Sequence, residues 1–470
     1  MKYDYHIIVI GAGSGGLVVA SGAAGLGAKV ALIEAHKMGG DCLNYGCVPS
    51  KAFLKAAHLA SEISESEQFG VNSTINSVNL EKVMGYVNTV IKEIEPHDSK
   101  ERYEGLGVDV INGKGEFVDK RTVKIGDKSI TGKHIIIATG SEAVVPQIKG
   151  LKDVDYLTNK TVFKLKEMPK HLIVLGAGPI GLELGQGFKQ LGAEVTVIDV
   201  LPSLFAKDDP EVGPLLEAAL KKEGMNLALN SKIIEVKNDG GITVIIERDG
   251  KTQEIKGDKV LVSLGRKPVT DTLNLESVGV ERDNTGFIKT NKRLQSSVSN
   301  IYACGDVVGP FQFTHMAGYQ AGIVIRNCIF KLPAKVDYSL VPWTTYTKPE
   351  VAHVGYTEPW AKTENLYQDH VIVNLDQLDR AKTEHDRIGF LKLILGKKNR
   401  IIGATMVGNK AGEIIPLASL AIQKKMTPSS FMGMIFSYPT EAEIFKFAGL
   451  KFVKERFKPW MKKIIKLIFL

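Results

Sequence analysis

The sequence predicts an α/β protein made of two parallel βαβ halves followed by a smaller α+β domain. Three observations carry this prediction. Residues 5–34, YHIIVIGAGSGGLVVASGAAGLGAKVALIE, recur in pattern at residues 170–199, KHLIVLGAGPIGLELGQGFKQLGAEVTVID. The 470 residues are too many for one core and suggest about three domains. From about Val341 the texture changes to alternating strands, FLKLIL and IIGATMVG, and then to helices.

The copies align at one constant offset, which matches Gly11 to Gly176, Gly13 to Gly178, Gly16 to Gly181, Gly27 to Gly192 and Glu34 to Asp199. Each opens with an apolar, β-branched run, as a buried parallel strand does. A Gly-rich turn, a helical stretch and a second strand ending in an acid complete one βαβ unit. Helix-like stretches at roughly 50–67 and 78–104 separate the copies, followed by a strand-rich region that ends in IIIATG at 135–140. After the second copy, VIIERDGKTQEI has the Asp-Gly turn and alternating flanks of a hairpin. KVLVSLG, ending at Gly265, and IYACGD at 301–306 are further buried strands. The expected layout is a first domain at 1–150, a second at 151–270, a return to the first at 271–340, a third domain at 341–446 and a tail at 447–470.

Composition narrows the function classes. Apolar residues make up 44% and charged residues 24%, as in a soluble globular protein. Phe445–Leu470 holds eight Lys/Arg against one acid, Glu455, so most of the net charge of +8 sits there and the body is near neutral. A nucleic-acid partner is therefore not expected. Four cysteines are too few for a secreted disulfide scaffold. No apolar run approaches the ~20 residues of a membrane span, and the apolar run ending at Gly11 is too short for a signal peptide. The cytoplasm is the expected location. Among His58, His97, His315 and His353 no pair has metal-ligand spacing, so no metal site is expected.

The two Gly-rich turns carry the first chemistry. Each GxGxxG follows a strand, opens a helix and precedes an acid, the context that gives an otherwise weak motif its meaning. Glycines let the backbone approach a pyrophosphate, the helix N-terminus offers unpaired N–H groups, and the acid accepts from ribose hydroxyls. Two such sites imply two dinucleotides. Asp199 at the second would repel a 2′-phosphate, which favours NADH, with NADPH as the alternative because Lys207 lies nearby in sequence.

The second chemistry lies in GGDCLNYGCVPSK at 39–51, where Cys42 and Cys47 stand five apart at a helix start. A helix N-terminus stabilises a thiolate there. Together with GKGEF at 113–117, ATG at 138–140, GAGPIGLE at 176–183, SLGRKP at 263–268, CGD at 304–306 and KPEVAHVGYTE at 348–358, this order of motifs resembles the class I pyridine nucleotide–disulfide oxidoreductases. That family includes dihydrolipoamide dehydrogenase, glutathione reductase and mercuric reductase, and the resemblance runs from about residue 4 to 446. It implies two Rossmann-like dinucleotide-binding domains, for FAD and NAD(P)H, plus an α+β C-terminal dimerisation domain and a homodimer.

It also implies roles. Gly11, Gly13, Gly16 and Glu34 would hold FAD, with Gly115, Thr139, Gly140 and Asp306 contributing. The helix after Thr314, carrying Ala317, would point its N-terminus at the flavin. Gly176, Gly178, Gly181, Asp199 and Gly265 would line the nicotinamide dinucleotide site. Pro179 stands where glutathione reductases carry an aromatic lid. Lys51 would pair with Glu183 beside the flavin, Cys47 would face the flavin, and Cys42 would meet the substrate. Cys304 and Cys328, in apolar strand and helix contexts, are expected to pack in cores.

Two features depart from the family. Dithiol-using members carry His-Pro-Thr-x-x-Glu, where the partner subunit's His works as acid and base and the Glu orients it. This chain has Tyr438-Pro439-Thr440-Glu441-Ala442-Glu443. Tyrosine titrates near ~10, far from neutrality, so an acceptor other than lipoamide or glutathione disulfide is expected: a metal ion, a quinone or a small disulfide. Mercuric reductases carry Tyr here too, but relay the metal through a C-terminal cysteine pair, and this chain has no cysteine after Cys328. The second departure is the tail. Past Pro459, Trp460, Ile464, Leu467 and Ile468 share one helical face, away from Lys462, Lys463 and Lys466. Such a segment either lies peripherally on an anionic membrane or is a packed or disordered basic end. Rival readings are a membrane-associated NADH:quinone or metal-ion reductase whose disulfide is only a relay, and a non-catalytic membrane flavoprotein.

Overall fold

The computed structural model describes residues 3–469, with Lys463 and Phe469 described by backbone alone. The chain divides into two compact units, residues 1–198 with 233–337 and residues 199–232 with 338–470.

The first unit opens with β1 (Tyr5–Ile10), α1 (Ser14–Gly25) and β2 (Val30–Glu34). The redox motif follows as a short helix, α2 (Gly40–Asn44), and a long one, α3 (Cys47–Ser64). α3 begins at Cys47, earlier than the expected position near 50, because Pro49 falls in its first turn, where a missing N–H costs nothing. The stretch expected as one helix to 104 is two, α4 (Leu80–Asp98) and α5 (Lys100–Gly105). Pro96 removes a helical donor near the end of α4, and Ser99 restarts the helix by accepting from the Arg102 N–H.

Next come β3 (Val108–Asn112), β4 (Gly115–Phe117), β5 (Thr122–Ile125), β6 (Lys128–Ile137) and β7 (Ser141–Ala143). The second copy is preceded by β8 (Tyr156–Leu157) and consists of β9 (His171–Leu175), α6 (Pro179–Gln190) and β10 (Glu194–Ile198). The chain then contributes α7 (Val212–Lys222) and β11 (Asn226–Ala228) to the second unit. It resumes with β12 (Lys232–Asn238) and the expected hairpin, β13 (Ile242–Arg248) and β14 (Lys251–Gly257), whose turn places Asp249 and Gly250 at φ 51° and 73°. β15 (Lys259–Val262), β16 (Arg266–Pro268), β17 (Ile301–Ala303) and α8 (Thr314–Cys328) complete it.

In the first sheet β1 lies between β2 and β6, parallel to both, and β17 adds to β6. In the second, β9 lies between β10 and β15, again parallel to both. Each Gly-rich turn thus leaves the carboxyl end of a central strand, where neighbouring connections diverge and open α/β sheets bind ligands. Ile8, Val9, Leu172 and Ile173 are fully buried, and each such side chain contributes roughly 1.5–3 kcal/mol over an exposed one. The helices of the redox motif and the second copy meet without slack: a Cβ on Gly187 of α6 would lie 2.5 Å from the ring of Phe53 in α3.

The second unit contains the antiparallel sheet β18 (Pro342–Thr345), β19 (Glu350–Gly355), β22 (Arg400–Gly408), β21 (Phe390–Gly396) and β20 (Asp369–Asn374), in that spatial order. Helices α9 (Glu358–Thr363), α10 (Asp379–Thr383), α11 (Ala411–Ile414), α12 (Pro416–Gln423), α13 (Ile444–Arg456) and α14 (Pro459–Phe469) surround or follow it. Lys392 is fully buried and paired with Asp209, Glu211 and Glu358. Burial opposes ionisation of Glu358, but hydrogen bonds from Lys362 and Lys392 hold its carboxyl down at about 2.

The segment 447–470 is not one tail. Through Arg456 it is α13, which buries Ala448 and Phe452 in the unit's core and donates from Lys451 to the Ile372 carbonyl. α14, which begins at Pro459, stands exposed, with Trp460, Ile464, Leu467 and Ile468 all open to solvent. The Lys463 side chain lies outside the described residues.

Candidate functional site

The first glycine turn fits a dinucleotide sterically and electrostatically. Gly11 has φ +106°, and a Cβ there would lie 2.4 Å from the Ala138 carbonyl oxygen. A Cβ on Gly16 would lie 1.8 Å from the Gly11 oxygen. Gly13 is different: its nearest neighbour would be the Gly40 Cα at 3.9 Å, an ordinary van der Waals contact, so a Cβ there would clash with nothing at the N-terminus of α1. No side chain caps that helix end, which leaves its N–H groups to an anion. Glu34 accepts from the Ala12 and His36 amides at 2.6 and 2.7 Å, which fixes the acid beside the turn. These residues fit FAD.

The second turn repeats the pattern, with contacts of 2.6 Å from Gly176 to the Ser263 oxygen and 2.1 Å from Gly181 to the Gly176 oxygen, and open space at Gly178. Pro179 is the first residue of α6. Gly265, φ +109°, also faces open space. Asp199 follows the last residue of β10, and its carboxylate accepts from the Leu201 N–H at 2.8 Å.

Other expected FAD residues have visible work within the protein. Gly115 lies in β4, where a Cβ would meet Ile10 and Val123 at 3.2 and 3.3 Å. The Thr139 hydroxyl donates to the Val269 carbonyl at 2.6 Å, and Gly140 has φ +72°. Ala317 is buried one turn into α8, within reach of Gly15 and Gly305. Asp306 accepts from the Ser141 hydroxyl at 2.6 Å, and burial raises its pKa.

The two cysteines of the motif lie beside the first glycine turn. Cys42 and Cys47 are free, Cys42 half-buried in α2 and Cys47 exposed at the start of α3. The Thr314 hydroxyl lies 3.4 Å from the Cys47 sulfur. Lys51, one turn on, donates to Glu183 of α6 at 2.7 Å, so the pairing that the resemblance implied is present. A hydrogen bond from Cys42, aided by Thr314 and the Lys51 charge, lowers the Cys47 pKa to about 6. The same bond, with burial, raises that of Cys42. One proton is thus held on Cys42 while Cys47 carries the charge. By contrast Cys304 and Cys328 are buried, and burial pushes both thiols up to about 12.

Sequence reasoning missed how this centre is braced. Gly39 donates to the Ala12 carbonyl at 3.0 Å, and a Cβ on Gly40 would lie 2.6 Å from the Gly13 Cα, so the redox motif rests on the first glycine turn. Arg266 donates to Asp41, the residue before Cys42, at 3.0 Å, and to the Ser141 hydroxyl and carbonyl at 2.8 and 2.9 Å. Its guanidinium also lies 4.0 Å from Asp306. Asn159 donates to Asp41 at 3.0 Å. The signals available were the Arg in SLGRKP and the Asp in GGDC, both inside motifs quoted for other residues.

In the second unit Tyr438 is 72% exposed and donates its hydroxyl to Asp379 at 3.2 Å. That bond raises its pKa above the ordinary tyrosine value. Glu443 is buried and accepts from the Thr440 N–H at 3.3 Å, closing a capping box with the Thr440 side chain. The hydrogen-bonding partner of Tyr438 is therefore Asp379, while Glu443 is engaged by the backbone of the same turn. Among the described residues no group of three or more His, Cys, Asp or Glu is placed to hold a metal, and no helix is long and apolar enough to cross a membrane.

Residues 5–321 match the model of the pyridine nucleotide-disulphide oxidoreductases, and residues 341–448 match the dimerisation domain of the same group. The chain is 37% identical over 455 residues to a mercuric reductase of Staphylococcus aureus, covering 96% of this chain and 83% of that one. It is 36% identical over 449 residues to a dihydrolipoyl dehydrogenase of Geobacillus stearothermophilus, covering 94% of each. Among solved structures, the HOCl-induced flavoprotein disulfide reductase RclA of Escherichia coli superposes with a TM-score of 0.85 at 26% identity, over 94% of this chain and 99% of that one. The dimerisation domain fits a homodimer.

Proposed function

Because the chain belongs to the pyridine nucleotide-disulphide oxidoreductase family, whose members use FAD and a pyridine nucleotide, we propose that it uses NADH to reduce a Cys42–Cys47 disulfide and serves an acceptor other than the usual dithiol substrates. The opposed acidities of the two thiols beside the Lys51–Glu183 pair carry this reading. Held by Gly11, Gly13, Gly16 and Glu34, FAD would supply the hydride chemistry that links the nicotinamide to the disulfide.

The protein's part is to place charge and proton. A hydride equivalent that opens an S–S bond leaves one thiol and one thiolate, so electrons and proton balance without a further donor. Cys42 keeps the proton and becomes the nucleophile for exchange once that proton passes to solvent water. Cys47 holds the negative charge, stabilised by Cys42, Thr314 and Lys51. Glu183, nearly buried, fixes the Lys51 ammonium at that place.

The acceptor reading rests on Tyr438. Its hydroxyl is occupied by Asp379 and titrates above the neutral range, so it supplies no acid–base relay near pH 7. A metal ion, a quinone or a small disulfide fits a reduced centre that lacks this relay. The NADH preference rests on Asp199, whose charge opposes a 2′-phosphate.

Anaerobic alkylation of the FAD-loaded protein tests the centre. We expect Cys42 and Cys47 to be labelled only after NADH is added. Labelling of Cys47 should fall as pH drops through about 6, because the thiolate is the form present above that value. Equal labelling with and without NADH would refute the proposal, as would rapid turnover of lipoamide or glutathione disulfide.

A further inference from the structure

The exposed C-terminal helix is the feature that the redox chemistry does not use. On a helical wheel at about 100° per residue, Leu467, Trp460, Ile464, Ile468, Met461 and Ile465 fill an arc of roughly 160°. Lys462 and Lys466 occupy the opposite side, one turn apart. Leu467 is 86% exposed and Ile468 63%, although the adjoining α13 buries Phe452 in the core. Lys454 and Lys458 leading into the helix are also exposed, and α14 itself contains no acid. At about 1.5 Å per residue it is roughly 16 Å long, about half of the ~30 Å needed to cross a bilayer.

We propose that α14 is a peripheral membrane anchor that lies flat on an anionic phospholipid surface. The wide apolar arc enters the boundary between headgroups and acyl chains, with Trp460 at the level of the headgroups. The lysines remain on the water side, against the negative surface. The charge of the segment selects this occupant. An apolar protein groove or a second copy of the helix would cover the apolar arc but offer the lysines no opposite charge, since they face away from that arc and α14 contains no acid. The inference stands apart from the identity of the electron acceptor, since it concerns a surface and not the thiol centre.

Flotation of the full-length, FAD-loaded protein with vesicles tests it, using pure phosphatidylcholine and phosphatidylcholine mixed with phosphatidylglycerol. We expect binding to the mixed vesicles, tighter by roughly tenfold or more than to the neutral ones, and weaker as salt rises. Leu467→Asp combined with Ile468→Asp should abolish flotation while NADH still reduces the protein. Lys462→Gln combined with Lys466→Gln should lose roughly tenfold on mixed vesicles and little on neutral ones. Trp460→Phe should remove the blue shift of tryptophan fluorescence on binding, leaving Trp343 and Trp360 unchanged. No flotation of the unmodified protein, or flotation unaffected by Leu467→Asp with Ile468→Asp, would overturn the proposal. So would a change in oligomeric state on that substitution with no vesicle binding, which would make α14 a contact between copies.

Discussion

The two copies of the βαβ unit share a sequence pattern but divide its labour differently. In both, the first and third glycines are demanded by the protein's own packing, because any Cβ would run into a carbonyl oxygen within the turn or the next strand. In neither would a Cβ on the middle glycine clash: Gly178 faces open space and Gly13 meets only the Gly40 Cα, at 3.9 Å. The copies diverge beyond the turn. The first fixes its acid, Glu34, onto the turn through Ala12 and His36, and the redox motif is built against it through Gly39 and Gly40. The second spends its helix on the thiol centre, since α6 supplies Glu183 to Lys51 and presses Gly187 against Phe53. One motif thus yields a platform in one place and a brace in the other. The difference lies in residues outside the motif.

The largest effect that could break this comparison is on the third glycines. Gly16→Ala and Gly181→Ala should each destabilise the protein by about 3 kcal/mol or more, as overpacking against backbone that cannot yield. Thermal unfolding would show this, and a loss below ~0.5 kcal/mol at either position would mean that the turn relaxes. A smaller, more selective effect is expected at the middle glycines. Gly13→Ala should leave unfolding nearly unchanged but lower FAD affinity by roughly tenfold, while Gly178→Ala should raise the KM for NADH by roughly tenfold with FAD content intact. Equal effects on both cofactors would erase the proposed division between the copies. The smallest effect is expected at Asp199, where Asp199→Asn should raise the ratio of NADPH to NADH efficiency by roughly fivefold through loss of one repulsive charge. Steady-state kinetics with both nucleotides would reveal it.

What the sequence revealed depended on whether the physics was local. The βαβ order, the hairpin at Asp249-Gly250 and the helix after Thr314 follow from periodicity and turn chemistry within short windows. The Lys51–Glu183 pair was legible only through resemblance, since nothing local links these residues. The contacts of Thr314 with Cys47 and of Arg266 with Asp41 were not legible. They depend on how distant segments return to one point, and neither residue belongs to a pattern that announces its partner. The tail shows another limit. Its charge count was right, but a count does not separate α13, with Phe452 in the core, from α14, which has no such burial among its described side chains. The helix expected through residue 104 failed for a local reason that was in view, the proline at 96.

The close approach of Gly187 to Phe53 has a consequence for anyone altering this enzyme. With no free play between α6 and α3, a methyl group added at Gly187 would act as a wedge, forcing the Phe53 ring or the thiol-bearing helix to shift. Gly187 is thus a place where the seat of the thiol-bearing helix can be disturbed from outside the reacting atoms.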